Sequence, residues 1–283
     1  MPPLRIAGYA PAESTHGRAL DRLADGIRSA GLQVHVTHNI MDEGRPATDL
    51  LRLVEAGELL CCYFSTSYLG DRVPELNVLE RPYLFGSLED AHAALDGELG
   101  RDLTLATERR TGFEVLGYWD NGFRHMTNRI RPIRTPADVA GMRVRLQPNA
   151  LHEEMIRAWG GEPVAVELSE GVRLIQEGKV DAQENPLANT VAYGVDRVHR
   201  FVTMTGHLYG ARGVYANRSA LSALPEAPLI RSAASDAIAF QRSIASDYEL
   251  ELRHRLESAG VEFVDLTEAE RAAFAEATKG IGE

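Results

Sequence analysis

Three features of the chain predict an α/β fold in two lobes. Short strand-like runs alternate with amphipathic helical stretches, the helices tend to stop at glycines, and the same alternation resumes in the second half without any repeat of fixed period. Residues 4–9 alternate like a strand, and residues 16–30 place Leu20, Leu23 and Ile27 on one helical face before Gly31 offers a left-handed stop. Residues 34–37 read as a second strand, residues 48–56 as a helix closed by Gly57, and residues 59–64 as a buried third strand. This β-α-β-α-β order predicts a mostly parallel sheet covered by helices. Ser87-Leu88-Glu89-Asp90 is a capping-box variant opening a helix through Leu95 and Leu99, and residues 113–119 read as the next strand.

The second lobe follows the same logic. Thr135-Pro136-Ala137-Asp138 supplies a cap, a proline at N1 and an acid at N3, which predicts a short helix ending by Gly141. Residues 143–146 form a strand, residues 151–159 a helix ended by Gly160-Gly161, and residues 163–166 another strand. Ser169 is expected to cap a helix that Gly178 terminates, followed by a strand at 180–183. Residues 201–205 and 213–216 read as two strands that return to the first lobe. Residues 228–259 carry Ile230, Ala234, Ala237, Phe240, Ile244, Tyr248, Leu252 and Leu256 at three- and four-residue spacing, a helix of unusual length. Residues 261–266 are strand-like, and Thr267-Glu268-Ala269-Glu270 is a capping box for a last helix.

Composition narrows function by exclusion. Over 283 residues, 41 acids against 30 lysines and arginines leave a net charge of −11, which provides no general footprint for nucleic acid or anionic lipid. The longest apolar run, residues 59–64, falls far short of the ~20 residues that a membrane-spanning helix needs. The opening Met1-Pro2-Pro3-Leu4-Arg5 shows no charged head followed by an apolar stretch, so no signal peptide is visible. Cys61 and Cys62 are adjacent on a strand and point to opposite faces, which suits buried thiols, with a strained vicinal disulfide as the alternative. His35 and His38 are three apart in extended chain and do not share a face, so no metal site is expected there.

Catalytic signatures are absent: there is no Walker A sequence, G-x-G-x-x-G, H-E-x-x-H or G-x-S-x-G. His152-Glu153-Glu154 reads as a solvated helix face. What stands out is residues 124–145, where six arginines (124, 129, 131, 134, 143 and 145) meet a single acid, Asp138. Arg129, Arg131 and Arg134 suit the surface. Arg143 and Arg145 alternate on a strand against Met142, Val144 and Leu146, and Arg145 has the fixed base from which a planar guanidinium fork can take a carboxylate.

Several ordered motifs together carry a family resemblance. These are Trp119-Asp120-Asn121-Gly122-Phe123-Arg124, Arg131-Pro132-Ile133 with the Thr135-Pro136 turn, Gly141-Met142-Arg143-Val144-Arg145, the run from Gly178 to Pro186 that includes Gln183-Glu184-Asn185, and Thr205-Gly206-His207. With Val73-Pro74-Glu75-Leu76 and Arg81-Pro82-Tyr83-Leu84-Phe85 in the first half, the chain resembles the substrate-binding proteins (DctP-like) of tripartite ATP-independent periplasmic (TRAP) transporters. The resemblance implies a periplasmic-binding-protein fold of type II kind, with a long helix bracing both lobes and ligand in the cleft between them. It implies a first lobe of residues 1–122 plus about 206–227, a second of 123–205 plus about 260–283, and a bridging helix over 228–259. By the same resemblance Arg145 holds a ligand carboxylate, Asn185 offers its amide beside it, and Arg124 is a second pocket arginine. Asn121 and Trp119 line the cleft, and Ser65 or Ser67 reaches in from the first lobe. The expected protein is a periplasmic, monomeric receptor without catalytic residues, metal or cofactor, handing a small organic acid to an integral-membrane permease. Two other readings stay open at this stage: an α/β enzyme using Arg145 as a substrate clamp, and a ligand-sensing protein of the same fold.

Overall fold

The structure, a computed structural model, describes residues 2–283. In chain order the elements are β1 (Leu4–Ala7), α1 (Thr15–Ser29), β2 (Val34–Thr37), α2 (Asp49–Glu55), β3 (Cys61–Ser65), α3 (Leu88–Asp96), α4 (Glu98–Arg110), β4 (Phe113–Asn128) and β5 (Arg143–Leu146). There follow α5 (Ala150–Ala158), β6 (Glu162–Ala165), α6 (Leu168–Gln176), β7 (Ala182–Asn185), α7 (Leu187–Ala192), β8 (Phe201–Asn217), α8 (Arg218–Ser222), α9 (Ala227–Ser258), β9 (Glu262–Val264) and α10 (Glu268–Ala277). The chain forms two units: one holds the residues up to Thr66 with Ala93–Asp120 and Ala211–Asp247, the other Ser67–His92, Asn121–Gly210 and Tyr248–Glu283.

In the first unit β1 lies between β2 and β3 and runs parallel to both, with Ile6 opposite Val36 and Cys61. β3 pairs antiparallel with the end of β8, Tyr63 against Val214 and Ser65 against Arg212. All of β3 is buried, which explains its continuous apolar run where a half-exposed strand would alternate. Ser14 caps α1 by accepting from the Gly17 amide, and the helix buries Leu20, Leu23 and Ile27, each worth roughly 1.5–3 kcal/mol on leaving water. Cys61 and Cys62 are free thiols, and burial pushes Cys61 up to about 12.

In the second unit β5 lies between β7 and β6, parallel to both, and the later part of β4 pairs antiparallel with β7. Met126, Val144, Leu146, Met155, Ile156, Trp159 and Phe274 share one core cluster. The turn at Pro136–Val139 has its capping box, Thr135 with Asp138, and α10 has another, Thr267 with Glu270. Among the described residues, no helix is long and apolar enough to cross a membrane, and no group of histidine, cysteine or acidic residues is arranged to hold a metal ion.

Four elements depart from the pattern reading. β4 continues to Asn128, and its last residues, His125 to Asn128, pair with β7. The strands expected at 201–205 and 213–216 are one strand, β8, since the glycines between them do not break it. Gly210 is there for close approach: a Cβ would stand 3.0 Å from Asn121. The helix expected to end near Leu99 is two helices meeting at Gly97, and α6 is capped by Glu167 rather than Ser169. Residues 67–92, which the pattern assigns to the first lobe, cluster with the second unit. They are tied there by Ser67 on Gln147, Glu80 on His152 at 2.7 Å and the Tyr83 amide on the His207 carbonyl at 2.8 Å.

A Cβ at Gly100 would lie 1.7 Å from the Leu95 carbonyl oxygen, while one at Gly112 meets nothing within 4 Å. Gly100→Ala is therefore expected to cost about 1–3 kcal/mol or more and Gly112→Ala to stay within roughly 0.5 kcal/mol. Urea unfolding midpoints check the pair, and equal midpoints would contradict the packing argument.

Candidate ligand-binding site

Four of the six clustered arginines pair with an acid, and a fifth, Arg131, stands exposed to solvent. Arg129 and Arg143 both reach Asp181, at 2.6 and 2.9 Å, and Arg143's hydrogen bond, acting against burial, holds that carboxyl down at about 2. Arg134 meets Glu270 at 3.2 Å, and Arg131 donates to the Asp138 carbonyl at 2.8 Å. Arg129, Arg131 and Arg134 are exposed, as their setting in the sequence suggests. Arg124 is fully buried and forks onto Glu184: Nε donates to Oε2, and Nη2 to Oε1 at 2.8 Å and to the Glu184 carbonyl at 2.7 Å.

Arg145 is the exception. It is 2% exposed, and among the described residues no acid lies within ion-pair distance of it. Its Nη2 donates to the Val166 carbonyl at 3.0 Å, and the phenol of Tyr68 hydrogen-bonds to the guanidinium. α6 passes so close that a Cβ at Gly171 would stand 2.3 Å from Nε, so glycine at 171 is what makes room for this side chain. An unneutralised buried cation is expensive, and an anion that supplies the missing charge recovers that cost.

Strand register sorts the remaining residues. Arg145 pairs with Gln183 on β7, and alternation puts Asn185 on the same face as Gln183, beside Arg145. Glu184 points the other way, toward Arg124. Asn189 donates from Nδ2 to the side-chain oxygens of Asn185, at 2.9 Å, and Asn121, at 3.1 Å. The Asn185 carbonyl is thus engaged, which leaves its amide as the group to offer an anion. Ser67 donates to Gln147, just past the end of β5 and two residues on from Arg145.

Behind that face lies a buried ionic network. His152 contacts Glu80 at 2.7 Å and Glu184 at 3.9 Å, and His207 stands 3.4 Å from Glu184. Burial pushes the Glu184 carboxyl up, but the Arg124 charge, with His207 and His152 alongside, outweighs burial and holds it well below the usual carboxylate range. Burial drives His207 down to about 4, against the opposing pull of Glu184, and drives His199 down to about 3. His152 corrects the solvated-face reading: it is 1% exposed because its helix turns that residue inward while Glu153 and Glu154 point elsewhere. Sequence reasoning passed over Glu184, Tyr68 and Gly171. Only Glu184, sitting inside a motif already singled out, carried a signal.

In the first unit, Trp119 is buried beside Tyr63, their ring centres 5.0 Å apart, and His16 donates to the Asp120 carbonyl at 2.7 Å. Arg212, opposite Ser65 in the ladder, lies over the Tyr9 ring at 4.6 Å and the Tyr63 ring at 5.5 Å. Burial, helped by Arg212, keeps His16 well below its ordinary value. Ser65 is buried within this group, whereas Ser67 belongs to the other unit.

Residues 6–282 match the family described as bacterial extracellular solute-binding protein, family 7 (DctP). The 2,3-diketo-L-gulonate-binding periplasmic protein YiaO of Escherichia coli K12 is 31% identical over 206 residues, 72% of this chain and 62% of that protein. The C4-dicarboxylate-binding periplasmic protein DctP of Rhodobacter capsulatus is 30% identical over 207 residues, again 72% and 62%. The chain thus spans less than two thirds of the length of these curated relatives. A TRAP periplasmic solute-binding protein from Sulfitobacter sp. NAS-14.1 with bound β-D-galacturonate has a TM-score of 0.92 at 25% identity, covering 98% of this chain and 92% of that one. Another, from Polaromonas sp. JS666 bound to D-erythronate, has a TM-score of 0.91 at 27% identity, covering 98% and 91%.

Two outcomes follow from the buried charges. Arg124→Met leaves Glu184 buried without its main partner and is expected to cost about 3–5 kcal/mol, part of which Glu184→Gln in the same chain restores; denaturant unfolding of the single and double variants measures this. His16, His199 and His207 are neutral in the folded protein yet take up protons near pH 6.5 when unfolded. Because the unfolded state binds more protons, stability is complete above about pH 6.5 and falls toward pH 4, by up to about 1.4 kcal/mol per histidine per pH unit. Unfolding free energies at pH 7, 6 and 5 test the slope, and a flat profile would refute it.

Proposed function

We propose, given that this chain belongs to family 7 of the bacterial extracellular solute-binding proteins, that it captures a small organic acid by its carboxylate and delivers it to a TRAP permease. The observation that carries this reading is Arg145: a buried guanidinium with no acidic partner among the described residues, fixed on a strand by Val166, Tyr68 and the gap at Gly171. A planar fork held this way takes two carboxylate oxygens in parallel hydrogen bonds, and the Asn185 amide on the neighbouring strand adds a donor on the same face. Arg124 does not double this function, because Glu184 already meets its charge.

The relatives support the chemical class. Their printed ligands are 2,3-diketo-L-gulonate, C4-dicarboxylates, β-D-galacturonate and D-erythronate, all organic acids. Both curated relatives are named periplasmic, and we place this receptor there as well. The acid is bound and released unchanged in this reading, since the site offers donors for an anion rather than a nucleophile with its base.

A thermal-shift screen with these acids identifies a binder, because a ligand at ~100 times its dissociation constant adds about 2.7 kcal/mol of stability. Charge-assisted hydrogen bonds are worth about 1.5–3 kcal/mol each, so Arg145→Lys is expected to weaken that binder at least tenfold and Arg145→Ala further. Calorimetry giving the same affinity for both variants as for the parent would overturn the assignment.

A further inference from the structure

Beside Arg145 stands a second charge that the anchoring of a carboxylate does not use. Glu167 is the N-cap of α6: its Oε1 accepts from the Glu170 amide at 2.8 Å. Its Oε2 is buried and accepts no hydrogen bond among the described residues. Arg145 donates to the carbonyl of Val166, the residue immediately before Glu167, yet no ion pair joins the two side chains. Tyr68 lies within reach of both charges: burial raises its phenol, Arg145 opposes that effect and Glu167 adds to it. A buried acceptor without a donor therefore sits next to a buried cation without an acid, and the two do not satisfy each other.

We propose that Glu167 accepts a hydroxyl of the acid whose carboxylate Arg145 holds, so that the site selects hydroxylated acids over unsubstituted mono- and dicarboxylates. The proposal rests on the carboxylate-receptor reading above. A hydroxyl near the carboxylate brings Oε2 the donor it lacks, whereas a second carboxylate brings a like charge to the same place. Sites built to pair with a ligand hydroxyl reject analogues without it strongly, because the buried acceptor is then stranded. Glu167→Gln is the informative change, since an amide oxygen can keep the helix cap while the charge disappears.

Three four-carbon acids separate the contributions: D-erythronate carries hydroxyls, succinate a second carboxylate, and butyrate neither. Calorimetry on the parent protein is expected to show D-erythronate binding at least tenfold more tightly than succinate or butyrate. Glu167→Gln is expected to reduce the advantage over succinate at least tenfold, while Arg145→Lys weakens all the acids that bind. An unmoved ratio in Glu167→Gln alongside a loss in Arg145→Lys overturns this proposal alone, as does a parent that prefers succinate. Unchanged affinities in Arg145→Lys, or no binding of any of the three acids, overturn the carboxylate anchor and this proposal together.

Discussion

Positive charge taken out of water must be answered, and the second unit is organised around that requirement. Its densest arginine segment contains one acid, so partners must come from elsewhere in the chain: Asp181 before β7, Glu184 within it, Glu270 on α10. Each pairing ties a loop or strand to a distant element. Arg145 is left to a carbonyl and a phenol, which orient it without neutralising it. A buried guanidinium without an acid is what remains of this accounting.

The placement of Glu184 and Asn185 shows how much a strand's two faces can divide. Adjacent residues of β7 turn opposite ways: Glu184 goes into a network with Arg124, His152 and His207, and Asn185 goes to the face of Arg145. One face carries an ionic network, the other an amide beside a guanidinium without an acid. His207, which burial drives down, belongs to the ionic side of this division, 3.4 Å from Glu184.

Much of the fold could be read from the chain because capping and periodicity are local. The Thr135 and Thr267 capping boxes, the apolar face of α1 and the length of α9 all follow from residues within a few positions of one another. The misread elements share one cause, which is tertiary override. β8 runs on through glycines because neighbours need the space, β4 continues to Asn128 where its last four residues pair with β7, and residues 67–92 follow their contacts instead of their order. At the candidate site, the position of Arg145 on a strand was legible through alternation, and Asn185 was singled out by the motif resemblance alone. The neutralisation of Arg124, the burial of His152 and the gap at Gly171 were not, because each depends on a side chain or helix far away in sequence.

The two cysteines have a practical meaning that the binding chemistry does not touch. Both thiols are buried on β3, and burial raises them far from the range in which thiolate reagents attack at neutral pH. A single cysteine introduced on an exposed helix face would then be the one reactive thiol among the described residues. An environment-sensitive dye can be attached there without first stripping the native cysteines, which makes this scaffold a ready starting point for a reagentless fluorescent sensor of organic acids.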